Sequence, residues 1–248
     1  ADVARVLDEA LTVADTSHRG PAFVDVPMDE LFSRAEVEIP APAARKPIVP
    51  DADDLLAVAI LLATAERPVL VLGSDVWMDG AEQAALRFAE EVGIPVVANG
   101  MGRGILRPGH RLLASRARSV AFANADLVVV AGTPLDFRLG FGVFGGREAN
   151  PPARVVHLAD SPGVLATHVD LAATAAGDLT LVFDGILAAH AARPHRATYE
   201  DWQADVHAGV VAAAERDTRV LAADVDPIHP ARIYGELIPL LDDDAVVI

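Results

Sequence analysis

The sequence predicts an α/β protein centred on a six-stranded, doubly wound parallel sheet, with truncated α/β pieces at both ends. Three observations lead there. Helical patterns alternate with short apolar runs from residue 51 to 192, the rhythm of parallel strands joined by right-handed crossovers. The run ADLVVVAG, residues 125–132, is short, β-branched and bounded by glycine, which reads as a strand buried on both faces. A chain of 248 residues, 52% apolar and 23% charged, is also long enough to bury a substantial core.

Taken in order, residues 2–15 set Val3, Val6, Leu7, Ala10, Leu11 and Ala14 on one helical stripe, and SHRGP then breaks the pattern before AFVDVP resumes it as a strand. Two elements cannot cover both faces of a sheet, so residues 1–33 are expected to be the end of a domain whose earlier part is missing. Residues 34–50 carry Pro40, Pro42, Pro47 and Pro50 and read as a stiff linker. The domain at 51–192 opens with the helix DADDLLAVAILLATAE, whose acidic first turn complements the helix dipole. The strand PVLVLG follows, then a helix over Gly80–Val92, the strand IPVVA, a helix over Ser115–Ala123 and the strand DLVVVAG. ARVVHLA and HVDLAATA supply further strands before a helix over Asp178–His190. Residues 193–227 read as a linker containing a polar helix, Tyr199–Glu215. Residues 228–248 hold the helix ARIYGELIPLL and an apolar strand, DDDAVVI, that the chain end cuts off.

Composition excludes several functions. With no cysteine there is no disulfide, cysteine–metal site or thiol nucleophile. A formal charge of −16 and the lack of any basic run argue against nucleic acid. No apolar stretch is long enough for a membrane span and no signal peptide is evident, so the expectation is a soluble, cytoplasmic protein. The histidines form no metal-ligand spacing, and neither a P-loop nor a G-x-S-x-G elbow occurs. Asp224, Asp226 and the run Asp242–Asp244 lie in loop contexts and read as solvated turns.

The order GPAFVDVPMD, a proline-rich linker, RPVLVLGS and ADLVVVAG-x-x-x-D-x-R resembles thiamine-diphosphate enzymes of the acetolactate synthase type. The resemblance covers nearly the whole chain. It implies the end of a pyrimidine-binding domain at 1–33, a central nucleotide-binding-like domain at 51–192 and the start of a pyrophosphate-binding domain at 228–248. By resemblance the full-length parent binds thiamine diphosphate and magnesium, decarboxylates a 2-oxo acid and ligates the product to a second one, as in branched-chain amino acid biosynthesis. A homodimer or homotetramer is implied as well. The cofactor-activating glutamate and the magnesium motif of that family are not among these residues, so this chain alone is expected to bind neither group and to be inactive. Oxalyl-CoA decarboxylase and 2-hydroxyacyl-CoA lyase are alternative relatives.

The resemblance also implies FAD or ADP in the central domain, beyond the carboxyl ends of the strands. Asp136 and Arg138 stand where the family has G-x-R-F-D-D-R, with Gly132 and Thr133 before them and Pro134 in place of the first arginine. Arg138 can pair with a phosphate, and Asp136 can accept from a ribose hydroxyl or orient the arginine; a solvated ion pair is the plainer alternative. Gly100, Met101 and Gly102 lie in NGMGRG, whose glycines permit positive φ and let a flat ligand approach the backbone. Gly73 and Ser74 mark a phosphate contact or an ordinary turn, and Arg116 a nucleotide contact or a solvent-facing helix start. Asp160 ends a strand, where it can bond ribose or adenine. Gly177 and Asp178 match a family G-D pair, although an aspartate there also serves as an N-cap. A domain that had lost its ligand would instead be a scaffold and subunit interface, with Phe137, Phe141 or Phe144 filling the crevice.

Overall fold

The computed structural model describes residues 3–41, 46–146, 151–193, 198–242 and 244–246. Five parallel strands form one sheet: β1 (Pro68–Leu72), β2 (Val96–Ala98), β3 (Leu127–Ala131), β4 (Arg154–Ala159) and β5 (Ala173–Ala176), in the spatial order β2-β1-β3-β4-β5. The register sets Leu70 against Val96 on one side of β1 and against Val129 on the other, and Val129 against Val156. Every residue of β1 and β3 is buried, as their uninterrupted apolar runs require. The α/β class therefore stands, with five strands where six were expected.

Helix α1 (Val3–Ala14) forms as its stripe predicts, and a short α2 (Met28–Leu31) follows. Between them AFVDVP is not a strand, because no neighbouring strand among the described residues offers its backbone a ladder. Asp51 caps α3 (Ala52–Thr64), accepting from the Asp53 and Asp54 amides. Gly73 and Ser74 lead into an unforeseen helical turn, α4 (Ser74–Met78), before α5 (Glu82–Val92), which ends at Gly93 with φ +76°. A 3₁₀ turn at Ser115–Ala117 precedes α6 (Arg118–Asn124), and α7 (Leu179–Ala191) follows β5. Of HVDLAATA only the last three residues are strand, the start of β5.

Because β2 and β3 lie on opposite sides of β1, crossovers of the same hand put α5 and α6 on opposite faces of the sheet. Helix α5 packs with α7, which also packs on α3; α6 packs with α8 (Glu200–Leu221). Phe88 of α5 and Phe183 of α7 meet with ring centroids 5.4 Å apart. The first part of α8 is anchored in the core: Trp202 Nε1 donates to Pro68 O at 2.9 Å, and the Tyr199 hydroxyl donates to Leu62 O at 2.5 Å. Helix α9 (Pro230–Leu237) lies on the far end of α8. Residues 244–246 are not strand, and the rest of the expected DDDAVVI strand lies partly outside the described residues. No described helix is long and apolar enough to cross a membrane.

Candidate functional site

The strand order runs outwards from β1 to β2 on one side and to β3, β4 and β5 on the other, which puts the topological switch point between the turns after β1 and β3. The chain closes this point with its own backbone. Gly73 N–H donates to Ala131 O and Asp75 N–H to Gly132 O, both at 2.9 Å. A Cβ at Gly73 would overlap Gly132 O and Thr133 Cβ; one at Gly132, where φ is +62°, would sit 2.7 Å from the Val76 nitrogen. Ser74 Oγ accepts from Met101 N–H at 3.1 Å, and a Cβ at Gly100 would strike that hydroxyl. At Gly102 it would strike Leu72 O. These glycines are required because two turns of the chain touch there. The open space lies to one side, around residues 133–146.

In that loop Asp136 accepts from the Arg138 amide at 2.9 Å and from its guanidinium at 3.0 and 2.6 Å. The guanidinium hydrogen bond holds the Asp136 carboxyl below its usual range. On one side of the loop a cavity of about 500 Å³ is lined by Arg116, Arg118, Ser119, Phe122, Arg138 and Phe144. Arg116 pairs with Asp217 of α8. Arg118 donates to Arg138 O and lies over the Phe122 ring, 5.1 Å from its centroid. Burial and the neighbouring cation Arg103 push the Arg118 pKa down. Among the described residues neither Arg103 nor Arg118 has a carboxylate within ion-pair reach, and two neighbouring guanidinium groups favour an anion.

Across the same loop, a second cavity of about 580 Å³ is lined mainly by apolar groups, with Leu135, Asp136, Phe141, His157 and His168 around it. His157 Nδ1 accepts from Ala166 N–H at 3.0 Å, so the ring proton sits on Nε2, which donates to Thr133 O at 3.2 Å. Burial pushes the His157 pKa down and keeps the ring neutral. Thr133 Oγ1 in turn accepts from Asn99 Nδ2 at 3.1 Å. Phe137 and Phe141 stay exposed, Phe141 in the left-handed region at φ +53°, while Phe144 is buried edge-on against Phe122. Two of the three phenylalanines that would plug a ligand-free crevice are thus turned to solvent.

Three predicted positions face elsewhere. Gly177, at φ +153°, and Asp178 receive the segment at Ile48 and Pro50: Asp178 N–H donates to Ile48 O at 2.8 Å, and the Asp178 carboxylate caps α7 through the Thr180 and Leu181 amides. Asp160 turns towards α4 and the SHRG segment. There Arg19 Nη1 donates to the fully buried Asp79 at 2.7 Å, while His18 Nδ1 lies 3.4 Å from Asp160 and 3.6 Å from Asp75. Desolvation raises both the Asp75 carboxyl, to about 6, and the Asp160 carboxyl; His18 opposes the rise and the neighbouring carboxylates add to it.

Residues 55–186, the sheet and the helices that carry these turns, match the model of the thiamine pyrophosphate enzyme central domain. The chain belongs to the thiamine pyrophosphate enzyme family. The acetolactate synthase large subunit IlvG of Mycobacterium tuberculosis is 39% identical over 98% of this chain and 43% of its own length. Oxalyl-CoA decarboxylase of Escherichia coli is 29% identical over 75% of this chain and 34% of its own. The chain therefore spans less than half the length of these relatives. A thiamin diphosphate-dependent enzyme of Mycobacterium smegmatis superposes with a TM-score of 0.60 at 25% identity, covering 79% of this chain and 38% of its own.

Within this thiamine pyrophosphate enzyme central domain, motif reading singled out the Arg116–Ser119 segment, naming Arg116 as its contact, and did not foresee that Arg103 adds its charge beside Arg118. Both were visible as the arginines of NGMGRG and SRARS, but their proximity depends on the turn after β2 folding towards the start of α6. His18, Asp75 and Asp79 carried no sequence signal at all, since 57 residues or more separate His18 from each of the two carboxylates.

Proposed function

We propose that this domain binds an adenine nucleotide, FAD or ADP, as part of a thiamine diphosphate-dependent enzyme of the acetolactate synthase type. The observation that carries the reading is the convergence of Arg116, Arg118 and Arg138 at a cavity of about 500 Å³, where Arg116 and Arg138 are paired with Asp217 and Asp136, Arg118 has no carboxylate within ion-pair reach among the described residues, and Arg103 adds positive charge nearby. Phosphate oxygens are the ligand that such a set fits, because guanidinium groups donate in a fixed fork to planar or tetrahedral oxyanions. Asp136 orients Arg138, and the apolar cavity beside His157 and Phe141 suits an adenine or flavin ring.

Thiamine diphosphate, bound by neighbouring domains, supplies the carbanion chemistry that decarboxylates a 2-oxo acid and transfers the remaining acyl unit to a second one. The residues of this chain contribute by holding the nucleotide and fixing the flanking domains. Magnesium, a homodimeric or homotetrameric assembly and a cytoplasmic location belong to the same reading. The test has two arms. The purified protein is expected to melt at a higher temperature with FAD or ADP, and no shift with either removes the nucleotide assignment. The full-length protein with pyruvate, thiamine diphosphate and magnesium is expected to release carbon dioxide and acetolactate; turnover of oxalyl-CoA or a 2-hydroxyacyl-CoA instead would move it to those relatives.

A further inference from the structure

We propose that His18, Asp75 and Asp160 form a divalent-cation site, with zinc the preferred metal, that clips the N-terminal segment to the central domain. One ligand atom from each side chain lies within 4.8 Å of the other two. His18 Nδ1 is 3.4 Å from Asp160 Oδ1 and 3.6 Å from Asp75 Oδ2. Four-coordinate zinc with bonds of about 2.0–2.1 Å holds its ligands roughly 3.3–3.4 Å apart, so the two distances from His18 already match a coordination shell, and the two carboxylate oxygens, within 4.8 Å of each other, close to the same span on binding.

A second, independent observation points to a ligand. The Asp160 side chain is 2% exposed, and its Oδ1, turned into the cluster, has only the His18 ring nitrogen at 3.4 Å beside it and no well-aligned hydrogen-bond donor. A buried carboxylate oxygen left so is costly, and a cation would satisfy it. The charge balance agrees: Asp75, Asp79 and Asp160 crowd together against Arg19 and His18, and Arg19 is committed to Asp79 and Asp15. That clamp on Arg19 also fixes the neighbouring His18 over the two carboxylates. The imidazole is 45% exposed, which leaves the fourth zinc position open to water. One nitrogen and two carboxylate oxygens favour zinc over magnesium or calcium, which prefer all-oxygen shells.

This inference does not rest on the nucleotide reading, and its test uses neither nucleotide nor thiamine diphosphate. Calorimetric titration of zinc chloride into the metal-stripped protein is expected to show one site per chain. Affinity should fall at least 10-fold in both His18→Gln and Asp160→Asn, and circular dichroism of each variant checks that the fold is kept. His18 is on the surface, so its variant remains informative even if Asp160→Asn unfolds. Crystals soaked in zinc should show anomalous signal between the three side chains. Absence of stoichiometric binding, or binding that survives His18→Gln, would overturn the proposal and leave the His18 side chain itself as the neighbour of the two carboxylates.

Discussion

Replacing Gly132 by alanine tests whether the switch point is closed by the chain itself. Two costs add at this position. Its φ of +62° places a Cβ in the left-handed region, at about 1–2 kcal/mol for an L-residue. The new methyl would also sit 2.7 Å from the Val76 nitrogen, a backbone atom of α4 that cannot swing away, which adds about 1–3 kcal/mol of overpacking. Gly140 is a matched control, with φ +58° and nothing within 4 Å of a built Cβ, so Gly140→Ala carries only the first cost. For a chain of this size each kcal/mol moves the melting temperature by about 2–4 °C. Gly140→Ala is expected to lower it by roughly 2–8 °C and Gly132→Ala by roughly a further 2–12 °C. Calorimetric melting of the two variants side by side measures the difference. Equal losses would refute the backbone closure and reopen the switch point as a ligand site.

Other consequences are open to measurement. Tyr199→Phe removes the hydroxyl that donates to Leu62 O and should cost about 1 kcal/mol, seen as a lower urea midpoint with an unchanged slope; no loss would detach α8 from the core account. The buried, neutral His157 has its pKa depressed below the ordinary 6.5, so its contribution to stability is complete above that value and is lost as pH falls through it towards the folded-state pKa. Between pH 7.5 and 5.5 the wild-type melting temperature should therefore fall more than that of His157→Gln, and parallel profiles would contradict the neutral assignment. Zinc binding at His18, Asp75 and Asp160 is the third.

Much of the fold is legible in the sequence because strand and helix periodicities differ and because glycine, proline and acidic caps mark the ends. Asp51, Gly93 and the apolar runs of β1, β3 and β4 do in the structure what their residue types require. What failed depended on neighbours. AFVDVP has strand composition but no strand beside it, and the turn after Gly73 coils into α4 because Ser74 and Asp75 are drawn to the backbone of the next two turns. The candidate site divides in the same way. Asp136 and Arg138 pair within three residues and were visible as a motif. The glycines were visible as special positions, and in the fold contact between chain turns by itself requires them. The action of the Arg103 charge on Arg118, and the meeting of His18 with Asp160, exist only after folding.

The central claim is that the arginine-lined cavity holds the phosphates of an adenine nucleotide. Titration calorimetry of ADP and of FAD into the protein, alongside Arg118→Met, measures it most directly. One charge-assisted hydrogen bond is worth about 1.5–3 kcal/mol, so the loss of the Arg118 guanidinium should weaken the preferred nucleotide on the order of 10–100-fold while the fold persists. Binding of neither nucleotide, or an affinity indifferent to Arg118, would contradict the claim.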